Sequence, residues 1–253
     1  MKKHVILFCI SCIFPGSTFA FKLSPMVAQF SPQGEGQTQS FYIENPEDKQ
    51  VAVQIDIFYR TQGAGGEEIR TETDQFSIYP SQVVLKAQQK RTVRVMWKGP
   101  KEVPKELSFR LVAEELPIDL QKQKNTSRTN LNFLLKYVAS LYVTPEGARP
   151  KVEVRAANQV EAKDGKKLSL ILENTGTAHK VMNEISVKVS AGGKTVEVSA
   201  ESLKVFETEN LLAGTKKTFV LPWPKEFKAD QGKDSKDIKV TIDFKDSLGK
   251  NAN

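Results

Sequence analysis

Few side chains in this sequence could do covalent or metal chemistry, and they are scattered. The chain holds two histidines and two cysteines. His4, Cys9 and Cys12 all fall near the start, in or beside an apolar run, which leaves His179 alone in the rest of the chain. A histidine and cysteine zinc site needs about four convergent ligands, and these residues cannot supply them. A Ser-His-Asp triad could use only His179, and no Gly-x-Ser-x-Gly elbow exists to present its nucleophile. His179 follows the turn Asn174-Thr175-Gly176-Thr177-Ala178 and reads as a surface residue. No glycine loop of the kind that cradles phosphate and no EF-hand spacing occurs. Glu67-Glu68 and Glu114-Glu115 are adjacent carboxylates, but neighbours along a strand point to opposite faces. What remains is the chemistry of binding. No cofactor or metal is expected, and an enzyme is not.

The start of the chain carries a separate signal. Met1-Lys2-Lys3-His4 is basic, Val5 to Phe14 is an apolar run too short to span a bilayer, and Pro15-Gly16 breaks it. Thr18-Phe19-Ala20 then places small residues at a cleavage site, so residues 1–20 read as a secretory signal peptide and the mature chain as starting at Phe21. Both cysteines leave with it. The mature protein therefore forms no disulfide although its compartment permits them, and it has no membrane span. Its charge falls from +7 to +5, with 35 basic against 30 acidic side chains. No cluster of basic residues interleaved with aromatics points to nucleic acid.

The elements that position any binding site are strands. Val51, Val53, Ile55, Ile57 and Tyr59 alternate with more polar neighbours, as do Val93, Val95 and Trp97, and Leu107, Phe109, Leu111 and Ala113. Asn45-Pro46, Gly63 to Gly66 and Gly99-Pro100 supply turns between them. Pro145 to Pro150 breaks the series and marks a domain boundary. A second series follows at Leu168, Leu170 and Leu172, at Ile185, Val187 and Val189, at Val196 and Val198, at Phe219, Leu221 and Trp223, and at Ile238, Val240, Ile242 and Phe244. Short alternating strands spaced by turns predict β-sandwiches or barrels. About 230 mature residues suffice for two cores.

One region departs from the pattern. Asp119 to Asn130 is long, polar and basic, and loops of this kind are functional or disordered. It leads into Leu131 to Val143, which is apolar on both faces. Such a strand is either buried on both sides within a sheet stack, or has one face in its own core and the other kept for a partner.

Three stretches, in order and spacing, resemble the PapD-like periplasmic chaperones of the chaperone–usher pilus pathway: Phe76 to Leu85 with Gln88 to Trp97, Leu107 to Pro117, and Leu131 to Pro145. The resemblance implies an all-β protein of two immunoglobulin-like β-sandwich domains in an L-shaped arrangement. Residues 21–147 would form the N-terminal domain with a donor strand at 131–144, and residues 148–253 the C-terminal domain. It further implies a periplasmic chaperone that binds pilus or fimbrial subunits by donor-strand complementation and delivers them to an outer-membrane usher. Leu131, Phe133, Leu135 and Tyr137 stand where the family's subunit-binding residues stand. On the two-residue period, Leu131, Phe133 and Leu135 are expected to face the client, with Leu134 and Val138 filling the chaperone's own core.

The chain departs from the family in three places. The positions of the usual basic anchor pair hold Val27 and Ser140. Lys136, in Leu135-Lys136-Tyr137, is a candidate anchor, and the basic-Tyr pair resembles the archaic branch. Of the family's inter-domain ionic trio, Glu106 and Asp246 match, but Thr144 replaces the arginine, leaving Arg149 as a candidate substitute. The chain also ends soon after Asp246 to Gly249, so the second domain is read as lacking a final strand. The competing function is a secreted structural pilus subunit or adhesin built from similar sandwiches, although Pro25 interrupts the alternation of Phe21 to Phe30 that a donor extension would need.

Overall fold

The structure is a computed structural model and describes residues 21–63, 65–117, 134–227, 232 and 234–244. The alternating runs become strands, and the buried member of each alternation faces one of two cores.

In the first unit the strands are β1 (Lys22–Ser24), β2 (Val27–Phe30), β3 (Thr38–Glu44), β4 (Val51–Gln62), β5 (Glu68–Glu72), β6 (Phe76–Tyr79), β7 (Gln82–Leu85), β8 (Lys90–Trp97), β9 (Leu107–Leu116) and β10 (Lys136–Val143). One sheet has the order β1-β3-β8-β6. The other runs β2-β10-β9-β4-β5, with β7 also on β4. Val51, Val53, Ile55 and Ile57 of β4 and Val93, Val95 and Trp97 of β8 point inward between the sheets. Phe30, Phe76, Trp97 and Phe109 meet there edge to face, with ring centroids 4.9–5.7 Å apart, a geometry that the aromatic quadrupole favours. Pro25 falls where the chain leaves β1 in the first sheet for β2 in the second. It breaks the alternation because the segment serves two sheets.

The second unit contains β11 (Val152–Ala162), β12 (Gly165–Asn174), β13 (Lys180–Val181), β14 (Ile185–Ala191), β15 (Lys194–Glu197), a short helix α1 (Ala200–Leu203), β16 (Asn210–Leu211), β17 (Lys216–Pro222) and β18 (Lys239–Phe244). Its sheets are β11-β12-β17, β13-β16 and β15-β14-β18. Leu168, Leu170, Leu172, Val187, Val189, Phe219 and Leu221 fill its core. β11 was not read from the sequence. Its apolar residues are only half buried, and a register shift between Val154 and Ala156 breaks the two-residue period.

Each core is plugged by one fully buried asparagine at the end of a strand. The Asn45 amide donates to Lys49 O (2.7 Å) and Lys86 O (2.9 Å), and its Oδ1 accepts from Glu47 N (3.0 Å). Asn174 donates to Ala178 O (2.7 Å) and Leu211 O (3.0 Å) and accepts from Lys151 N and Gly176 N. Buried amides persist only when paired in this way.

Candidate functional site

β10 is bonded fully on one side and partly on the other. It pairs antiparallel with β9 from Lys136 to Val143. Leu135 O accepts from Glu115 N at 2.9 Å, so the odd-numbered main-chain groups of β10 turn toward β9 and the even-numbered ones away. On the far side β2 runs parallel and pairs only with Ser140 to Val143. Ser140 N donates there to Met26 O, and Thr144 N to Phe30 O, each at 2.9 Å. Beyond β2, the main-chain groups of Lys136 and Val138 meet no strand among the described residues.

The side chains of β10 correct one expectation. Ala139, Leu141 and Val143 are buried in the first core, and Leu135 and Tyr137 pack against it, with Tyr137 edge-on to Phe21 at 4.9 Å. The odd-numbered face therefore continues the core. Leu134 does not fill that core: it is 50% exposed, and Val138 lies half-buried on the opposite face with it. Three small or branched residues at 139, 141 and 143 fix the parity, and an uninterrupted register carries that parity up to Leu135. Leu131, Phe133, Asp246, the signal segment and the polar loop lie outside the described residues. Lys136 is engaged by Glu114, with Nζ 2.8 Å from Oε2 and both side chains about half exposed.

A cluster of basic groups lies on the outer face of the same sheet, beside the point where β2 joins β10. Arg110 on β9 is registered opposite Ser140 and donates to its Oγ at 2.5 Å. Val27 is the partner of Ser140 on β2. Arg110 also donates to Glu68 Oε2, Arg70 donates to Oε1 at 2.6 Å, and Arg60 completes the group. Arg60 is only 7% exposed. Its Nε lies 2.8 Å from Glu68 Oε2, but the N–H is not directed at that oxygen. The contact is ionic, and this buried donor has no hydrogen-bond acceptor among the described residues. Burial, then the Arg110 charge, pulls the Arg60 guanidinium below its ordinary value, while Glu68 and Tyr142 oppose that shift. Burial opposes charge on Glu68 too. Hydrogen bonds from Arg110 and Arg70 and the charges of Arg110 and Arg60 outweigh it and hold that carboxyl at about 2. Three guanidinium groups on one carboxylate leave the cluster positive.

The two units meet through polar contacts, of whose side chains the sequence analysis had singled out Glu106 but not its partner His179. Glu106 is 5% exposed. It accepts from Thr144 Oγ1 (2.8 Å), from His179 N (3.0 Å) and contacts His179 Nδ1 (2.6 Å). Thr144 thus bonds Glu106 directly, and His179 supplies the second-domain partner. Arg149 does neither, since its guanidinium is exposed and donates to Ala148 O at 2.8 Å. The surface role expected of His179 is likewise overturned: its ring stacks on Tyr142 at 3.8 Å and 8°. Asn210 Nδ2 donates to the Tyr142 hydroxyl at 2.6 Å. Gln62 of β4 donates to Asn210 O (2.8 Å) and accepts from Leu212 N (3.1 Å) and Thr215 Oγ1 (2.7 Å). Gln62 falls on the polar parity of β4 and so carried no signal in the sequence.

Fold and site together define a two-domain immunoglobulin-like sandwich protein whose first domain keeps a core-facing strand with an edge only partly paired among the described residues. Residues 29–149 match the family of pili and flagellar-assembly chaperones, PapD N-terminal domain. That match falls on the first domain, and the chain as a whole has the fold of solved pilus chaperones. It is similar to the CsuC–CsuE chaperone–tip adhesion subunit pre-assembly complex from archaic chaperone–usher Csu pili of Acinetobacter baumannii, at 17% identity over 88% of this chain and 97% of that chain, with a TM-score of 0.58. The class 5 fimbriae chaperone CfaA matches at 12% identity over 88% and 98%, with a TM-score of 0.54. The Salmonella enterica SafA pilin complex with the SafB chaperone matches at 18% identity over 81% and 85%, with a TM-score of 0.50. At these identities the likeness is one of fold. No curated protein gives a match. Among the described residues no helix is long and apolar enough to cross a membrane.

Proposed function

We propose that this protein is a periplasmic assembly chaperone that holds a pilus subunit by lending it β10 and passes it to an outer-membrane usher. The observation that carries this reading is the half-covered edge of β10. Main-chain groups at Lys136 and Val138 meet no strand among the described residues and can bond an added one, and the odd-numbered face beside them is a core surface that thins toward the open end. Strand addition takes affinity from main-chain bonds and specificity from alternate side chains. Leu131, Phe133 and Leu135 share that face by the two-residue period, so the client's core would continue the chaperone's own rather than face away from it.

The edge also favours one direction of the client strand. A strand laid along Lys136 to Ala139 ends where β2 begins, at Val27 and Ser140. If it runs parallel to β10, its carboxyl end arrives beside Arg110. If it runs antiparallel, its amino end meets a positive cluster. Charge-assisted Arg–carboxylate bonds favour the parallel direction, with Arg110 rather than Lys136 as the anchoring group.

The test is co-expression of the chain with secreted β-proteins encoded beside it. Phe133→Ser should leave the free chaperone's melting temperature nearly unchanged and abolish co-purification of the subunit. A fall of several degrees in the free protein with capture retained refutes the reading.

A further inference from the structure

The outer face of β10 is a ladder of unlike rungs. Each even-numbered residue of β10 stands level with one residue of β9. Two of these pairs touch: Lys136 Nζ lies 2.8 Å from Glu114 Oε2, and Arg110 donates to Ser140 Oγ. Between them Val138 stands level with Val112, which is buried although it lies outside the core on the outer face. One step beyond Lys136, the bond from Glu115 N to Leu135 O continues the register and sets Leu134 level with Leu116. The rungs from Leu134 to Ser140 thus run apolar, ionic, apolar and basic.

On the β9 side every rung is filled. On the other side only the last one is. Val27 of β2 stands level with Ser140, and no strand among the described residues stands level with Val138, Lys136 or Leu134. Glu114 holds Lys136 from one side, and no other ion pair reaches it among the described residues. Val27 also shows where an added strand would point its side chains. It is 62% exposed on the outer face, whereas Ala28 and Phe30 lie in the core. A residue level with an even-numbered position of β10 therefore faces outward, beside the open side of that rung.

We propose that Leu134, Lys136 and Val138 select the outward-facing side chains of the client strand, favouring an acidic residue level with Lys136 between apolar residues level with Leu134 and Val138. This rests on the reading of β10 as the client strand and adds a second face to it: the client's inward residues continue the core, and its outward ones are matched rung by rung. The physical reason is that side chains directly opposite on neighbouring strands stand about 5 Å apart, so opposite charges attract there and like charges repel. A client carboxylate would hold Lys136 from its open side as Glu114 holds it from the other. An apolar client residue beside Leu134 would cover a side chain that is half exposed.

The test measures binding of the full chain, by fluorescence anisotropy, to labelled synthetic peptides with a free carboxyl end, valine at every inward position and threonine at every outward one. One outward threonine at a time is exchanged for Glu or for Lys. At one position only, Glu should be favoured over Lys by about fivefold, the scale of one attractive and one repulsive cross-strand pair taken together. Lys136→Glu should reverse the order at that position and leave the others unchanged. Two residues nearer the amino end, for a strand parallel to β10, Leu should bind about threefold better than Ser. Leu134→Ser should remove that advantage and keep the acidic preference. An order unchanged by Lys136→Glu, a reversal at all outward positions alike, or a leucine advantage that survives Leu134→Ser overturns the proposal and leaves β10 as the client strand. If the wild type binds none of the peptides, the client-strand reading itself fails, and selection by its outer face with it.

Discussion

Replacing Glu68 by Gln keeps the shape and one acceptor oxygen but removes the carboxylate that Arg60, Arg70 and Arg110 share. The size of the effect follows from the carboxyl group itself. Its value falls from 4.5 to about 2 in the folded protein. At about 1.4 kcal/mol per unit, that is about 3 kcal/mol of stability from its charged form. The Glu68 side chain is 23% exposed, so solvent screening trims this to about 2–3 kcal/mol. The pH dependence has a definite sign. A depressed carboxyl contributes fully above its unfolded value of about 4.5, and the contribution is lost as the pH falls toward about 2. Urea unfolding of the wild type and Glu68→Gln at pH 7 should therefore differ by about 2–3 kcal/mol, and at pH 3 by only about 1 kcal/mol. A difference below about 0.5 kcal/mol at pH 7 would show that the arginines are held by solvent rather than by Glu68. An equal difference at both pH values would show that the loss comes from packing, not charge.

Three further outcomes follow from particular contacts. Leu134→Ser should change stability by less than about 0.5 kcal/mol, because the side chain is half exposed; a loss above about 2 kcal/mol in urea unfolding would return it to the core. Asn174→Ala strands four main-chain partners in a buried site and should cost about 3 kcal/mol or more by the same measurement, with a near-neutral result ruling out the plug. Gly176→Ala places a Cβ against Arg149 O and Lys151 N, both rigid backbone. It should cost about 1–3 kcal/mol and speed amide exchange at Thr175 and Thr177, whose N–H groups donate to Lys151 O and Arg149 O at 2.8 Å; unaltered exchange at both would refute the close approach.

Much of the fold could be read from residue types because the strands that matter most keep an unbroken two-residue period. β8, β12, β14 and β4 as far as Ile57 bury every second residue, so the alternation of Val51 to Ile57 or Leu168 to Leu172 states which side is inside. β11 escaped because a bulge breaks that period and its apolar residues are half buried. The faces of β10 were misjudged for a different reason. Leu134 and Leu135 are equally apolar, and only the burial of Ala139, Leu141 and Val143 further along decides between them. The arginine cluster draws on β4, β5 and β9, and their mutual register cannot be read from any one of them. The junction residues Gln62, His179 and Asn210 are ordinary polar side chains until the second domain is laid against the first. Their role is a property of tertiary placement, which local periodicity does not encode.

The parallel pairing of β2 with β10 bears on the order in which this protein can form. Val27 to Phe30 bond to Ser140 to Val143, so one short strand pair spans more than a hundred residues of chain. Closing so long a loop costs entropy before any contact repays it, and such pairings form late. A chain emerging from its amino end must keep Ala28 and Phe30 without their place in the sheet until nearly the whole first domain has followed. In that interval the full length of the β10 edge is uncovered, not only its outer half. The step that finishes the domain is thus the arrival of a short strand on the edge proposed to receive the client, and the newborn chain passes briefly through a state in which its own beginning plays the part proposed for the client.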